Sequence, residues 1–157
     1  MTAVEIESLA PILGEHPLLK GLDRKHLDLI VGCASNARFN PGEFIFRAGQ
    51  EANHFYVVRS GRVSVETFAP QRGAITIETV GDGELLGWSW LIPPFEWHFD
   101  ARALNLTRAI ALDARCLRGK CDSDPALGYE LLKRFSQIME QRLEATRLQL
   151  LDLYVNA

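Results

Sequence analysis

The sequence predicts an α+β protein that is mainly β, with a sandwich or barrel of short strands between N-terminal helices and one long C-terminal helix. Apolar residues recur at helical spacing before residue 34, and short β-rich segments alternate with Gly or Pro turns as far as residue 112. No Gly or Pro interrupts the chain from Tyr129 onward. We therefore divide a single domain, 1–157, into N-terminal helices (1–36), a β-roll (37–112), and a short helix followed by the long helix (113–157).

Composition and charge narrow the class of protein. The 157 residues have the usual size of one domain, with 47% apolar and 24% charged residues and a formal net charge of −3. A negative chain is a poor electrostatic partner for DNA, so we expect no direct DNA binding. No apolar run is long enough for a membrane span, and the acidic N-terminus is unlike a signal peptide, so we expect a cytoplasmic protein.

The elements begin and end at recognisable signals. Asp23 fits the N-cap of a helix over Arg24–Cys33, Asp113 fits the N-cap of a short helix, and Asp124 followed by Pro125 is a strong start signal for the long helix. Segments rich in Phe, Tyr, Val, Ile and Thr predict strands at Ala37–Phe39, Glu43–Phe46, His54–Arg59, Arg62–Thr67, Ala74–Val80, Asp100–Leu104 and Arg108–Leu112.

The long helix, about 30 residues or roughly 45 Å, carries two apolar sets. The first has the 3-4 spacing of a coiled-coil seam and predicts a homodimer interface at Leu132, Phe135, Met139, Leu143, Thr146, Leu150 and Leu153. The second lies to one side and can pack on the barrel, and it comprises Leu127, Leu131, Ile138, Ala145 and Leu148. The alternative is a helix packed within its own monomer.

Residues 83–103 form an aromatic, turn-rich insertion between two β-runs, with three tryptophans and two prolines. Loops on a rigid scaffold often carry binding groups, so this insertion is a candidate wall of a ligand pocket. The alternative is a long loop pinned by buried aromatic rings.

Chemistry-bearing motifs give no support for an enzyme. Three cysteines, Cys33, Cys116 and Cys121, predict no disulfide framework and no metal cluster, and we expect ordinary buried or partly buried thiols at 116 and 121. The four histidines lack metal-ligand spacing, and nucleophile-elbow, Walker and dinucleotide motifs are missing from the sequence. We expect no metal and no cofactor.

The order of these segments is similar to the cyclic-nucleotide-binding domains of the cAMP receptor protein family. The similar segments are the turn Phe39–Phe46, the hairpin Tyr56–Val65, the barrel end Arg102–Arg118 and, on the long helix, Arg134, Ser136, Met139, Arg142, Leu143 and Thr146. The resemblance covers roughly Pro17–Leu153. It implies a double-stranded β-helix, or jelly-roll barrel, with a long C-terminal dimerisation helix.

The binding cassette departs from that family. The family's Gly-Glu, whose glutamate holds the ribose, aligns with Gly87-Trp88, and its Arg-Ser-Ala, which holds the cyclic phosphate, aligns with 97–99. Thr146 matches a base-contacting threonine, and Arg147 replaces a serine. The resemblance then implies ligand contacts at Gly87, Trp88, Ser89, Trp97, His98, Arg102, Thr146 and Arg147.

These departures suggest a sensor with an altered pocket. We expect a stand-alone regulatory module, without the family's helix-turn-helix, that responds to a nucleotide-like or aromatic effector other than cAMP. Aromatic walls suit a planar ring through stacking, and a protonated His98 could meet an anion. The signal would pass to a protein partner that the sequence does not identify. The alternatives are a ligand-free dimeric scaffold, whose rings fill the vacated pocket, and a transcription regulator acting with a DNA-binding partner.

Overall fold

The fold is a mainly-β jelly roll flanked by helices, as the sequence predicts. The computed structural model describes the backbone of residues 3–156 and the side chains of residues 9–156. In chain order its elements are α1 (Ala3–Glu15), α2 (Arg24–Val31), β1 (Ala34–Phe39), β2 (Phe44–Phe46), β3 (His54–Ser60), β4 (Val63–Ala69), β5 (Gly73–Val80), β6 (Leu85–Leu86), a 3₁₀ turn (Ser89–Leu91), β7 (Asp100–Ala103), β8 (Thr107–Asp113), α3 (Ala114–Ser123) and α4 (Pro125–Val155).

The strands form two antiparallel sheets of four strands each. Sheet A has the order β1-β8-β3-β6, and sheet B has the order β2-β7-β4-β5. Strand β1 begins at Ala34, three residues earlier than the sequence predicts, because Ala34 pairs with Leu112 at the far end of β8. Both sheets contribute buried side chains to one apolar core, among them Val57 and Ile110 of sheet A and Val63 and Ala101 of sheet B.

Two of the three predicted helix caps form as expected. The Asp113 carboxylate accepts a hydrogen bond from the Cys116 amide at 2.9 Å, and the Asp124 carboxylate accepts one from the Leu127 amide at 3.4 Å. Asp23 occupies the N-cap position of α2 but makes no side-chain cap bond there. The aspartate–proline signal therefore marks the start of a 31-residue helix, close to the predicted length.

Helix α4 is half covered and half bare. Leu127, Leu131 and Phe135 are buried against the barrel, whereas every residue from Leu143 to Asn156 is exposed. Phe135 was expected in the dimer seam, and that expectation is wrong: its ring is fully buried, edge-on to Phe55. It lies four residues after Leu131, on the stripe that faces the core.

A disulfide joins Cys33 and Cys116, whose Cα atoms are 5.9 Å apart. This corrects the expectation that Cys116 is an ordinary thiol. Cys33 lies directly before β1, and Cys116 lies just after β8. Because β1 and β8 pair antiparallel, with Ala34 opposite Leu112, the two cysteines meet although their sequence separation is 83. Cys121 is free and half-buried, and burial, followed by the charges of neighbouring aspartates, raises the pKa of its thiol.

Candidate functional site

A small cavity of about 80 Å³ lies where the aromatic insertion meets sheet B and α4. Five of the eight predicted ligand residues line it: Gly87, Trp88, Ser89, Trp97 and His98. Strands β2, β4, β5 and β6, the end of the loop before β7 and helix α4 complete the wall, through Phe46, Val65, Ile77, Glu78, Leu86, Phe99 and Arg142. Pockets for drug-sized ligands usually measure about 300–1,000 Å³, so this cavity is small for a nucleotide.

The Trp97 side chain occupies the space that limits the cavity. Its ring stacks on Phe46 with centroids 3.8 Å apart and planes 7° from parallel, and only 6% of the residue is exposed. A Cβ built on Gly87 would lie 2.5 Å from the Trp97 ring. Gly87 also has φ +95°, a conformation that favours glycine. The glycine therefore makes room for the indole, and Trp97 fills the pocket beside it.

The three tryptophans of the insertion have three different environments. Trp90 is fully buried in the core, stacked on Phe55 at 4.6 Å and edge-on to Phe135 at 5.4 Å. Its indole nitrogen has no hydrogen-bond partner among the described residues. Trp97 lies in the pocket, and Trp88 lies half-exposed at its mouth. Only the latter two are placed to touch a ligand.

Backbone contacts hold the insertion in place. Trp97 donates its amide to the Gln50 carbonyl at 3.0 Å and accepts from the Gly49 amide at 2.8 Å. Arg118 of α3 donates to the Trp90 carbonyl at 2.7 Å. The backbone at Trp97 is thus tied to the segment Gly49–Gln50 and that at Trp90 to α3, which favours a pre-formed pocket wall.

Arg142 is a site residue that the sequence analysis missed. Its guanidinium carbon lies 4.8 Å from the centre of the Trp88 ring, its Nε lies 3.2 Å from Glu78, and it donates a hydrogen bond to the Leu85 carbonyl. Burial lowers the pKa of Arg142, and the charges of Glu78 and nearby Glu84 oppose that shift. The available signal was its position one helical turn before Thr146.

Three predicted ligand residues do not line the cavity. Arg102 pairs with the buried Glu66 at 2.8 Å, on the opposite side of β7 from the inward Ala101 and Ala103. The Thr146 hydroxyl donates to the Arg142 carbonyl of its own helix at 2.9 Å, and Arg147 is exposed. Within one chain, Thr146 and Arg147 therefore lie on α4 beyond the part of the helix that lines the pocket.

Among the twelve lining residues, Glu78 and Arg142 carry full charges, and they pair with each other. His98 lies exposed at the rim. The site therefore presents aromatic surface with little net charge. Residues 3–156 contain no helix long and apolar enough to cross a membrane. The described part of the chain also holds no group of three His, Cys, Asp or Glu residues arranged for a metal ion.

The sequence-family model of the cyclic nucleotide-binding domain matches residues 37–124, which is more than half of the chain. The chain belongs to this family. The CRP-like cAMP-activated global transcriptional regulator of Mycobacterium tuberculosis is 22% identical over 142 residues, covering 90% of this chain. The chain spans 62% of the length of that relative.

Solved structures share the fold. A cyclic nucleotide-binding domain from Methylobacillus flagellatus matches with a TM-score of 0.76 and 19% identity, over 93% of this chain and 82% of that one. A mutant regulatory subunit of a cAMP-independent protein kinase A from Trypanosoma brucei, bound to cAMP, matches with a TM-score of 0.71 and 22% identity. That match covers 92% of this chain and 52% of the subunit. These structures therefore show that the chain has the cyclic nucleotide-binding fold.

Proposed function

We propose that this chain is a regulatory domain of the cyclic nucleotide-binding type that senses a small planar effector other than cAMP. We further propose that it acts in the cytoplasm as a homodimer and signals through a protein partner. The observation that carries the proposal is Trp97, whose ring fills the space beside Gly87. A group that binds cyclic phosphate would need a free cation there, and Arg142 is already paired with Glu78.

The lining supports an apolar or weakly anionic planar effector. The half-exposed Trp88 offers a face for stacking, the buried Trp97 lines the cavity beside it, and His98 at the rim offers limited positive charge. An effector that covers Trp88 competes with the Arg142 guanidinium for the same ring face. Because Arg142 belongs to α4, such competition would change how the helix is held and would couple the pocket to the dimer.

We expect cAMP to bind weakly or not at all. Titration calorimetry should give no saturable signal at up to about 1 mM cAMP, a value near the weak end of specific binding. Indole-3-acetate, a planar and weakly anionic probe, should bind and quench tryptophan emission. His98→Gln is the matched variant for the rim charge, and it should weaken the anionic probe more than neutral indole. A low-micromolar dissociation constant for cAMP would contradict the proposed effector class.

We expect Leu143→Asp to dissociate the homodimer. Leu143 is 50% exposed on the bare half of α4, where a carboxylate would be buried unpaired in the seam. The dimer dissociation constant should rise roughly 100-fold, or about 3 kcal/mol. Sedimentation measures the dissociation constant for wild type, Leu143→Asp and Leu104→Asp. Leu104, an equally exposed leucine of the β7–β8 loop, is the matched control, and its variant should remain dimeric. A wild-type chain that is monomeric at tens of micromolar would overturn the interface.

The second candidate is a ligand-free dimeric scaffold. The filled pocket favours it, because Trp97 completes the core without any ligand. A chain that dimerises but gives no signal with nucleotides, indole or indole-3-acetate would support this candidate.

A transcription regulator that recruits DNA binding in trans is a third candidate, suggested by the relative from Mycobacterium tuberculosis. Retention of a DNA-binding protein by the immobilised dimer would favour this third candidate.

A further inference from the structure

A second cavity, of about 380 Å³, lies on sheet A and shares no lining residue with the effector pocket. Three arginines dominate its wall: Arg38 of β1, Arg108 of β8 and Arg59 of β3. Ala37 and Ala109, which alternate with the arginines along β1 and β8, complete the lining together with Asn36, whose side chain supplies an amide. The three strands are neighbours in sheet A, with β8 in the centre.

The register brings the three charges together. Arg38 is directly opposite Arg108 in the β1–β8 ladder. On the other side, Arg59 lies in the irregularity between Val58 and Ser60, and Ser60 is the partner of Arg108. Because neighbouring strands are about 4.8 Å apart, the three side chains start within a width of roughly 10 Å. Three positive charges at this spacing repel one another, and like charges directly opposite in a sheet are destabilising.

These charges have no counterpart in the described part of the protein. No acidic residue lines the cavity, and none of the three arginines forms an ion pair among the described side chains. Other arginines do find partners, as Arg47 does with Asp100 and Arg115 of α3 with Glu51, whereas Arg62 and Arg72 are unpaired among the described side chains but lie outside the cluster. The three exposed guanidinium groups therefore form a concentrated positive site, uncompensated among the described side chains, on a chain of net charge −3.

We propose that this cavity binds an oxyanion of the phosphate class, carrying two or more negative charges. Guanidinium groups match phosphate oxygens with paired N–H donors, and three of them around one anion offset their mutual repulsion. The Asn36 amide adds a neutral donor at the same wall. The cluster spans three strands only, which suits one or two phosphoryl groups rather than the extended backbone of a nucleic acid.

The test uses inorganic phosphate and pyrophosphate with the full chain in chloride buffer at about 0.15 M salt, where loose surface attraction is screened. Wild type should bind pyrophosphate saturably in calorimetry, and Arg108→Gln should bind at least about tenfold more weakly, the equivalent of 1.4 kcal/mol. Arg72→Gln, an exposed arginine outside the cluster, is the matched control and should bind like wild type.

Thermal unfolding adds a readout that separates binding from misfolding. Without anion, Arg108→Gln should be at least as stable as wild type, because one repulsive charge is gone. Pyrophosphate should raise the wild-type midpoint and leave that of Arg108→Gln unchanged. Trp97→Ala should retain pyrophosphate binding, so failure here is separable from failure of the effector pocket. Absence of saturable binding, equal loss in Arg72→Gln, or tighter Arg108-dependent binding of a single-stranded oligonucleotide would overturn the proposal.

Discussion

Trp97→Ala is expected to lower the free energy of unfolding by about 3–5 kcal/mol and to enlarge the cavity beside Gly87. The indole is almost fully buried and stacks on Phe46, so its removal loses both apolar burial and a close aromatic contact. Urea denaturation measures the loss. Phe99→Ala is the matched control from the same loop, and because Phe99 is 41% exposed its loss should be much smaller.

The contact between Trp97 and Gly87 can be isolated with a double-mutant cycle. Gly87→Ala alone should be strongly destabilising, because its Cβ would meet the indole at 2.5 Å and its φ is positive. In the Trp97→Ala background the steric part should vanish and the backbone strain should remain. The two substitutions should therefore cost less together than the sum of their separate effects. Additive effects would show that Trp97 does not lie against Gly87.

Cys116→Ser is expected to lower the free energy of unfolding by about 2–4 kcal/mol under non-reducing conditions. The Cys33–Cys116 bridge closes a loop with a sequence separation of 83 residues, and a long closed loop restricts the unfolded chain strongly. Denaturation with and without reductant measures the effect: reductant should bring wild type down to the level of Cys116→Ser. Cys121→Ser, which removes the free and half-buried thiol, is the control and should respond to reductant as wild type does.

Thiol titration checks the bridge directly. The unfolded, unreduced wild type should expose one reactive thiol, and the reduced protein should expose three. Disulfides rarely persist in the reducing cytosol, so the bridge and the cytoplasmic location that we propose are in tension. Three free thiols in protein purified without reductant would contradict the bridge.

Local signals in the sequence were sufficient for most of the elements. Alternating β-rich segments and Gly or Pro turns predict seven of the eight strands, since the signals lie within each segment, but they miss the two-residue β6 inside the aromatic insertion. Asp113 and Asp124-Pro125 predict the starts of α3 and α4 for the same reason, because a cap satisfies backbone groups a few residues away. The composition of residues 83–103 also predicted an aromatic pocket wall, and of the eight ligand residues that the family resemblance implied, five line the cavity.

The environment of each side chain was decided by contacts between distant segments. The local sequence does not distinguish the three tryptophans. In the structure Trp90 lies in the core, Trp97 fills the pocket and Trp88 lies at the rim. Phe135 is buried rather than in the expected dimer seam, because the first half of α4 packs on the barrel. Arg142 lines the cavity because the same helix passes the opening of the cavity.

The sequence by itself determined the mainly-β fold and the long helix, because both rest on residue types and short spacings, and the altered binding cassette is what the family resemblance implied. Only the tertiary structure decided that Trp97 fills the pocket, that Cys33 meets Cys116, and that arginines of three strands line one cavity. The physical reason is strand register: antiparallel pairing joins residues tens of positions apart, and a shift of one residue would turn each side chain to the other face.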